Sequence, residues 1–324
     1  MQEQTARANK QLAADLSLVG VVLIWGATFI LIKDALRETA PLLFLSVRFG
    51  SAAAALLLIV LFTGRWAGWR RRELAGGLLI GLAYWLGFIL QTVGLQYTTA
   101  SNAGFITGLS VVLVPLFAYL LLGQRPGVWP VVGVVVAVVG LALLSVQDGF
   151  TVGIGDWLQI ASAACFAMQI VLVSRYAAEA DALRLSLVAM AVAGALSLLG
   201  SVAFELPVGV GWLLPPNVLL AAVFMGLVAS ALAQVLQAVA QRATSPTHVA
   251  LIFTLEPVAA AAFAWLLGGE LLSGRQLFGC GLILGGMLLA EFAPQLAGKQ
   301  RKMNKQSAVT PLPSLPLGDE PKRA

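Results

Sequence analysis

Glu256 is followed directly by Pro257, about ten residues into an apolar stretch. Proline lacks the amide that would bond to the Phe253 carbonyl, so a helix here is expected to open. A carboxylate at that depth in lipid costs on the order of 3 kcal/mol unless it faces protein, water or a cation. Two readings follow. Glu256 is either a site for a proton or an amine at a locally unwound helix, or a structural acid that pairs with freed backbone and holds helices together. Arg48 poses the same problem with opposite sign. It can contact an anion, but carbonyls at a helix end or a loop acid are its favoured partners. His248, the one histidine, could titrate near neutrality. Its place just after Pro246, where an apolar run begins, reads more simply as an interfacial polar residue.

The neutral polar residues form a second set. Gln234, Gln237 and Gln241 fall on one helical face, and Tyr84, Gly87 and Gln91 repeat that spacing. Amides suit a lipid-facing surface poorly, so these faces should line an internal space or bond across helices. Gln169 is a lone amide beside Met168, Trp25 and Phe29 are one turn apart, and Asn102 is placed to cap a helix. Covalent and metal chemistry find little support. Ser110 and His248 sit at different depths in their runs, which disfavours a nucleophile–base pair. One histidine and two dispersed cysteines cannot make a usual zinc set. No GxxxxGK[ST] stretch is present to cradle ATP, and no cofactor is implied.

The elements that must position these residues are membrane helices. Of 324 residues, 59% are hydrophobic and 11% charged, with a mean hydropathy of +0.90. A soluble domain needs about 25% charge to clothe its surface. A helix crosses the bilayer in roughly 20 apolar residues. Span 1 lies between Asp15 and Lys33, span 2 from Pro41 to about Phe62, and spans 3 and 4 share the uncharged interval between Glu73 and Arg125. Span 5 ends before Asp148, span 6 runs from Asp156 to Arg175, and span 7 lies between Arg184 and Glu205. Spans 8, 9 and 10 cover about 217–240, 247–268 and 274–293. The fold class is therefore an all-α integral membrane protein of ten transmembrane helices. Residues 1–14 form a polar cytoplasmic segment with no cleavable signal, and 294–324 read as a disordered basic tail.

Arginine and lysine set the orientation. With the N-terminus inside, the inner segments carry Arg7, Lys10, Arg65, Arg70, Arg71, Arg72, Arg125, Arg175, Arg184 and Arg242. The outer ones carry Lys33, Arg37 and Arg275. The positive-inside rule then puts both termini in the cytoplasm. The net charge of +5 is a topology signal, with no nucleic-acid stripe.

The two halves, 15–146 and 147–293, resemble each other. At an offset of 146 residues Gln91 falls on Gln237, Leu109 on Leu255, Phe117-Ala118 on Phe263-Ala264, Gly133 on Gly279 and Gly140 on Gly286. Each half holds five spans, an odd number, so the second enters the membrane inverted. Inverted repeats let two similar halves expose one central site to alternate sides. A small solute, the lipid bilayer and a coupling proton are the expected partners. Gly77-x3-Gly81 and Gly281-x3-Gly285 mark close helix contacts, and span 10 could serve packing or a homodimer. A channel would be lined by similar residues and stays open as the alternative.

Trp25-Gly26-Ala27-Thr28-Phe29, Arg48-Phe49 and the stretch Gln96 to Phe105 running into Val114-Pro115-Leu116-Phe117 resemble the first repeat of the drug/metabolite transporter superfamily, EamA type. In the second repeat, Ser245-Pro246-Thr247-His248-Val249-Ala250 leads to Leu255-Glu256-Pro257-Val258 and Leu267-Gly268-Gly269-Glu270. Gln124 stands at the first-repeat counterpart of Glu270, where the family pattern usually has an acid, and Ser110 at that of Glu256. The resemblance implies secondary transport of a small metabolite or drug, often outward, across a cell inner membrane, with a mid-membrane cavity lined by spans 1, 3, 4, 6, 8 and 9.

Overall fold

The computed structural model describes residues 2–98, 103, 106–145, 153–208, 214–268 and 273–290. Ten helical segments occupy the ten expected intervals. They are α1 (Gln2–Ala35), α2 (Pro41–Phe62), α3 (Arg71–Gly94), α4 (Ile106–Leu122), α5 (Val128–Ser145), α6 (Ile154–Ala177), α7 (Ala182–Glu205), α8 (Pro216–Ala240), α9 and α10 (Gly274–Ala290). No strand occurs among the described residues. Six of the helices are long and apolar enough to cross a membrane unaided; α4, α5 and α10 are shorter.

The irregularities have local causes. α9 is split into α9a (Pro246–Phe253) and α9b (Glu256–Gly268), with Pro257 just inside the second half. Between them the chain tightens, Leu255 donating its amide to the Ile252 carbonyl at 3.0 Å. The opening expected at Pro257 is thus present, and Glu256 begins a helix. α8 carries a π-helical segment over Gly226–Leu232, and α7 ends in another over Ser201–Glu205.

The α7 segment delivers Glu205 to the start of α2. Its carboxylate accepts the Leu42 amide at 2.7 Å and the Leu43 amide at 2.8 Å. Those amides have no partner within their own helix, and an anion there is favoured by the helix dipole. Glu205→Gln should lower the melting point of the purified protein by a few degrees, a loss of about 1–2 kcal/mol; an unchanged melting curve would refute the capping role.

The opposite end of α2 lies in a cluster of charges. Arg184 pairs with Glu73 at 3.3 Å and donates to the Arg65, Ala67 and Gly68 carbonyls. Arg65 pairs with Asp181 at 2.9 Å, and Arg72 with Glu179. Arg242 donates to the Ala177 and Ala180 carbonyls, closing the end of α6. The chain between α2 and α3, that between α6 and α7, and the end of α8 therefore share one end of the bundle.

Buried apolar side chains form two clusters. The first is built mainly from α2, α3, α7 and α8, the second from α4, α5, α9 and α10. α1 and α6 contribute to both. Gly77 and Gly81 abut Val188 and the Ala189 carbonyl of α7, so this small-residue pair serves intramolecular packing. Gly281 and Gly285 face open space on α10. The other glycines of α10 make a seam with α5. A Cβ on Gly133 would lie 2.6 Å from the Gly286 carbonyl, and one on Gly140 would lie 2.7 Å from that of Gly279. The helices run antiparallel there, because the partner numbers fall as the α5 numbers rise.

Candidate functional site

Arg48 is the largest fully buried side chain, 2% exposed, on the face of α2 that meets α3 and α8. Its Nε donates to the Ser230 hydroxyl at 2.8 Å. The guanidinium lies 4.7 Å from the centre of the Phe88 ring and 5.5 Å from that of Phe49. Such cation–π contacts supply part of the solvation a buried cation loses. Among the described residues neither a helix-end carbonyl nor an acid touches it, the partners expected from sequence. A neutral hydroxyl and aromatic faces take their place.

The surroundings of Arg48 come from four elements. α3 provides Tyr84 and Phe88, whose rings are 4.7 Å apart, and both pack edgewise on Phe49. Phe166 of α6 closes against Phe88 at 5.0 Å. α8 provides Ser230 from its π-helical segment. Such a segment shifts the backbone register and releases carbonyls from the helix ladder, and the Ala229 carbonyl accepts the Trp25 indole N–H at 2.9 Å. Close approach of α8 to α2 depends on Gly226, where a Cβ would collide with the Ser51 hydroxyl and the Arg48 carbonyl. α9 brings Glu256, half-buried and within electrostatic reach of Arg48 and Tyr84. Among the described residues nothing donates a hydrogen bond to its carboxylate, and no ion pair joins it to Arg48.

The sequence-predicted residues divide between this centre and its flanks. Trp25 bridges α1 to α8 and meets Phe253 of α9a edge-on at 5.0 Å. Tyr84 is buried beside Arg48, and its hydroxyl, close to Ser230, makes no direct hydrogen bond among the described residues. Gln169, Gln234, Gln237 and Gln241 are all buried and form an amide ladder between α6 and α8. Gln169 donates to Gln234 at 3.3 Å and to Gln237 at 3.4 Å; Gln237 donates to Gln241 at 2.8 Å, and Gln241 to Ser174 at 2.6 Å. Only the Gln234 Nε2 in this ladder is left without an acceptor. Gln91 sits apart, its side chain donating to Thr107 of α4 at 3.5 Å while its main-chain carbonyl accepts from Gln159 of α6 at 2.9 Å. Gly87, between Tyr84 and Gln91, receives the Phe166 ring, so that face of α3 is partly a packing surface. His248 meets Asp15 of α1 at 3.0 Å, joining the middle of α1 to the start of α9. Asn102 and the Phe29 side chain lie outside the described residues, as do Glu270, the 147–152 stretch and the 294–324 tail.

Ser230, Gln159 and Thr107 were not singled out by sequence. Ser230 carried a usable signal, since it is the counterpart of Tyr84 at the 146-residue offset. Gln159 shares a helical face with Asp156 and Ser162, and Thr107 lies one turn before Ser110, a spacing that could have marked both.

Comparison with known proteins gives this arrangement a context. The family model for the EamA-like transporter family matches residues 12–146 and again 153–292. An uncharacterized transporter of Archaeoglobus fulgidus is 34% identical over 287 residues, covering 87% of each chain. Uncharacterized transporter YyaM of Bacillus subtilis is 26% identical and covers 93% of this chain and 100% of its own. A solved crystal structure superposes with a TM-score of 0.73 over 86% of this chain and 98% of that one; at 21% identity it attests to the fold alone. A family model satisfied twice along one chain, over helices that cross the bilayer, leaves a single assignment: this multi-pass membrane protein is no enzyme and belongs to the EamA-like transporter family.

Proposed function

We propose that the protein is a secondary carrier that exports a small organic solute across a cell inner membrane by alternating access, with both termini in the cytoplasm and proton exchange at Glu256. The seam between α5 and α10 carries the reading. Gly133 corresponds to Gly279 and Gly140 to Gly286 at the repeat offset, and the contacts join Gly133 to Gly286 and Gly140 to Gly279. Exchanging the two halves maps this pair of contacts onto itself. Equivalent helices that meet antiparallel in this way fit halves related by an axis in the membrane plane, the arrangement of carriers with two near-equal end states. The polar centre supports the same reading, since buried Arg48 faces the π-helical segment of α8 and Glu256 opens α9b at the break in α9.

The charged end of the bundle, with Arg65, Arg72, Arg184 and Arg242, is the cytoplasmic one by the positive-inside rule. Reporter tags fused after residues 145 and 295 test the arrangement. Opposed halves require the first outside and the second inside; signals from the same side would end the proposal.

A further inference from the structure

The polar centre has more hydrogen-bond donors than the described residues have acceptors for them. Arg48 is 2% exposed, yet Ser230 is its one hydrogen-bond partner among the described residues, and only Nε reaches it. The two terminal amino groups of the guanidinium donate to none of them. The Tyr84 hydroxyl, buried beside it and close to Ser230, makes no direct hydrogen bond among the described residues, nor does the Gln234 Nε2, one turn beyond Ser230 on α8. Buried donors without an acceptor, here the Tyr84 hydroxyl and the Gln234 Nε2, are costly, and a native structure keeps few without reason. The groups come from α2, α3 and α8, so no single helix's strain accounts for them. The nearby acid, Glu256, makes no bond to any of them.

We infer that Arg48, Tyr84, Ser230 and Gln234 form a binding site for the carboxylate of a singly charged organic acid, and that Glu256 is its internal competitor for Arg48. This rests on the carrier reading and adds the solute's chemical class. The charge count decides the class. One guanidinium faces one carboxylate across the centre, so a dianion such as a phosphate ester would meet one cation and one repelling acid. A monocarboxylate matches the planar fork of an arginine with two parallel bonds. Phe88 and Phe166, both half-buried, are the apolar side chains beside this centre against which the rest of the molecule would pack. When the solute leaves, the Glu256 carboxylate can move to the vacated guanidinium, which keeps the buried cation compensated.

The test measures thermal stabilisation of the purified full-length protein by straight-chain and aryl monocarboxylates, with the primary amide, the amine and the phosphate monoester of matching carbon skeletons. At least one carboxylate should stabilise the wild type, and its amide should bind at least tenfold more weakly. Tyr84→Phe removes an unpartnered hydroxyl, so the protein should melt no lower than wild type while its affinity for the carboxylate falls severalfold. Arg48→Gln should abolish the response. Glu256→Gln removes the competitor and should tighten carboxylate binding. Equal binding of amide and carboxylate, preference for the amine or phosphate ester, or no response to any carboxylate would overturn the assignment. Unchanged affinity in Glu256→Gln would overturn the competitor role. The tag experiment reads the carrier architecture independently of all these results.

Discussion

Glu256→Gln should bring gradient-driven accumulation of the solute to parity while leaving solute exchange intact. A one-unit pH difference is worth about 1.4 kcal/mol per proton, so one-to-one coupling sustains roughly tenfold accumulation. Glutamine keeps the shape and hydrogen-bonding capacity of the side chain at the start of α9b but has no proton to exchange at accessible pH. Proteoliposomes separate the functions: uptake against a gradient reports coupling, and counterflow of labelled solute reports the conformational cycle alone. Accumulation that survives in the variant would remove Glu256 from the coupling step. Loss of counterflow as well would assign it a structural role between the helices.

The second large effect is expected at Gly226. An alanine there puts a methyl group against the Arg48 carbonyl and the Ser51 hydroxyl. Backbone cannot yield as a side-chain tip can, so α8 must move off α2. Overpacking of this kind costs about 1–3 kcal/mol. The displacement also withdraws Ser230 from Arg48, so Gly226→Ala should melt lower and bind solute more weakly. Gly281→Ala is the control, since nothing lies within 4 Å of the added atom and stability should hardly change. If the two alanine variants melt alike, the contact between α8 and α2 is looser than described.

The contrast between these glycines shows what a sequence can and cannot reveal. Lipid imposes length and hydropathy on every span, so the ten intervals were legible, as was the opening at Pro257, whose missing amide is a covalent fact. The α5–α10 glycines were visible as repeat-equivalent positions, though not that they touch each other. The π-helical segment of α8 left no trace, because Gly226–Leu232 differs in hydrogen-bond register and not in composition. Glu205 looked like the boundary of a span. Its partners at Leu42 and Leu43 lie over 160 positions earlier in the chain, beyond any local pattern. The glutamines were recognised as a polar face, but periodicity alone could not decide whether such a face meets open space or another amide. Gln237 and Gln241 met other polar side chains, and Gln234 was left with a free donor.

The two apolar clusters bear on how the molecule is made. Each draws helices from both halves: α2 and α3 with α7 and α8 in one, α4 and α5 with α9 and α10 in the other. Neither half of the chain owns a finished interior. As the polypeptide leaves the ribosome, its first five helices must wait in the bilayer with both interiors half built, until the last five insert alongside them. A truncated product is therefore no smaller carrier but an orphan, open to the membrane's quality-control proteases, and separately translated halves find stability only by meeting each other.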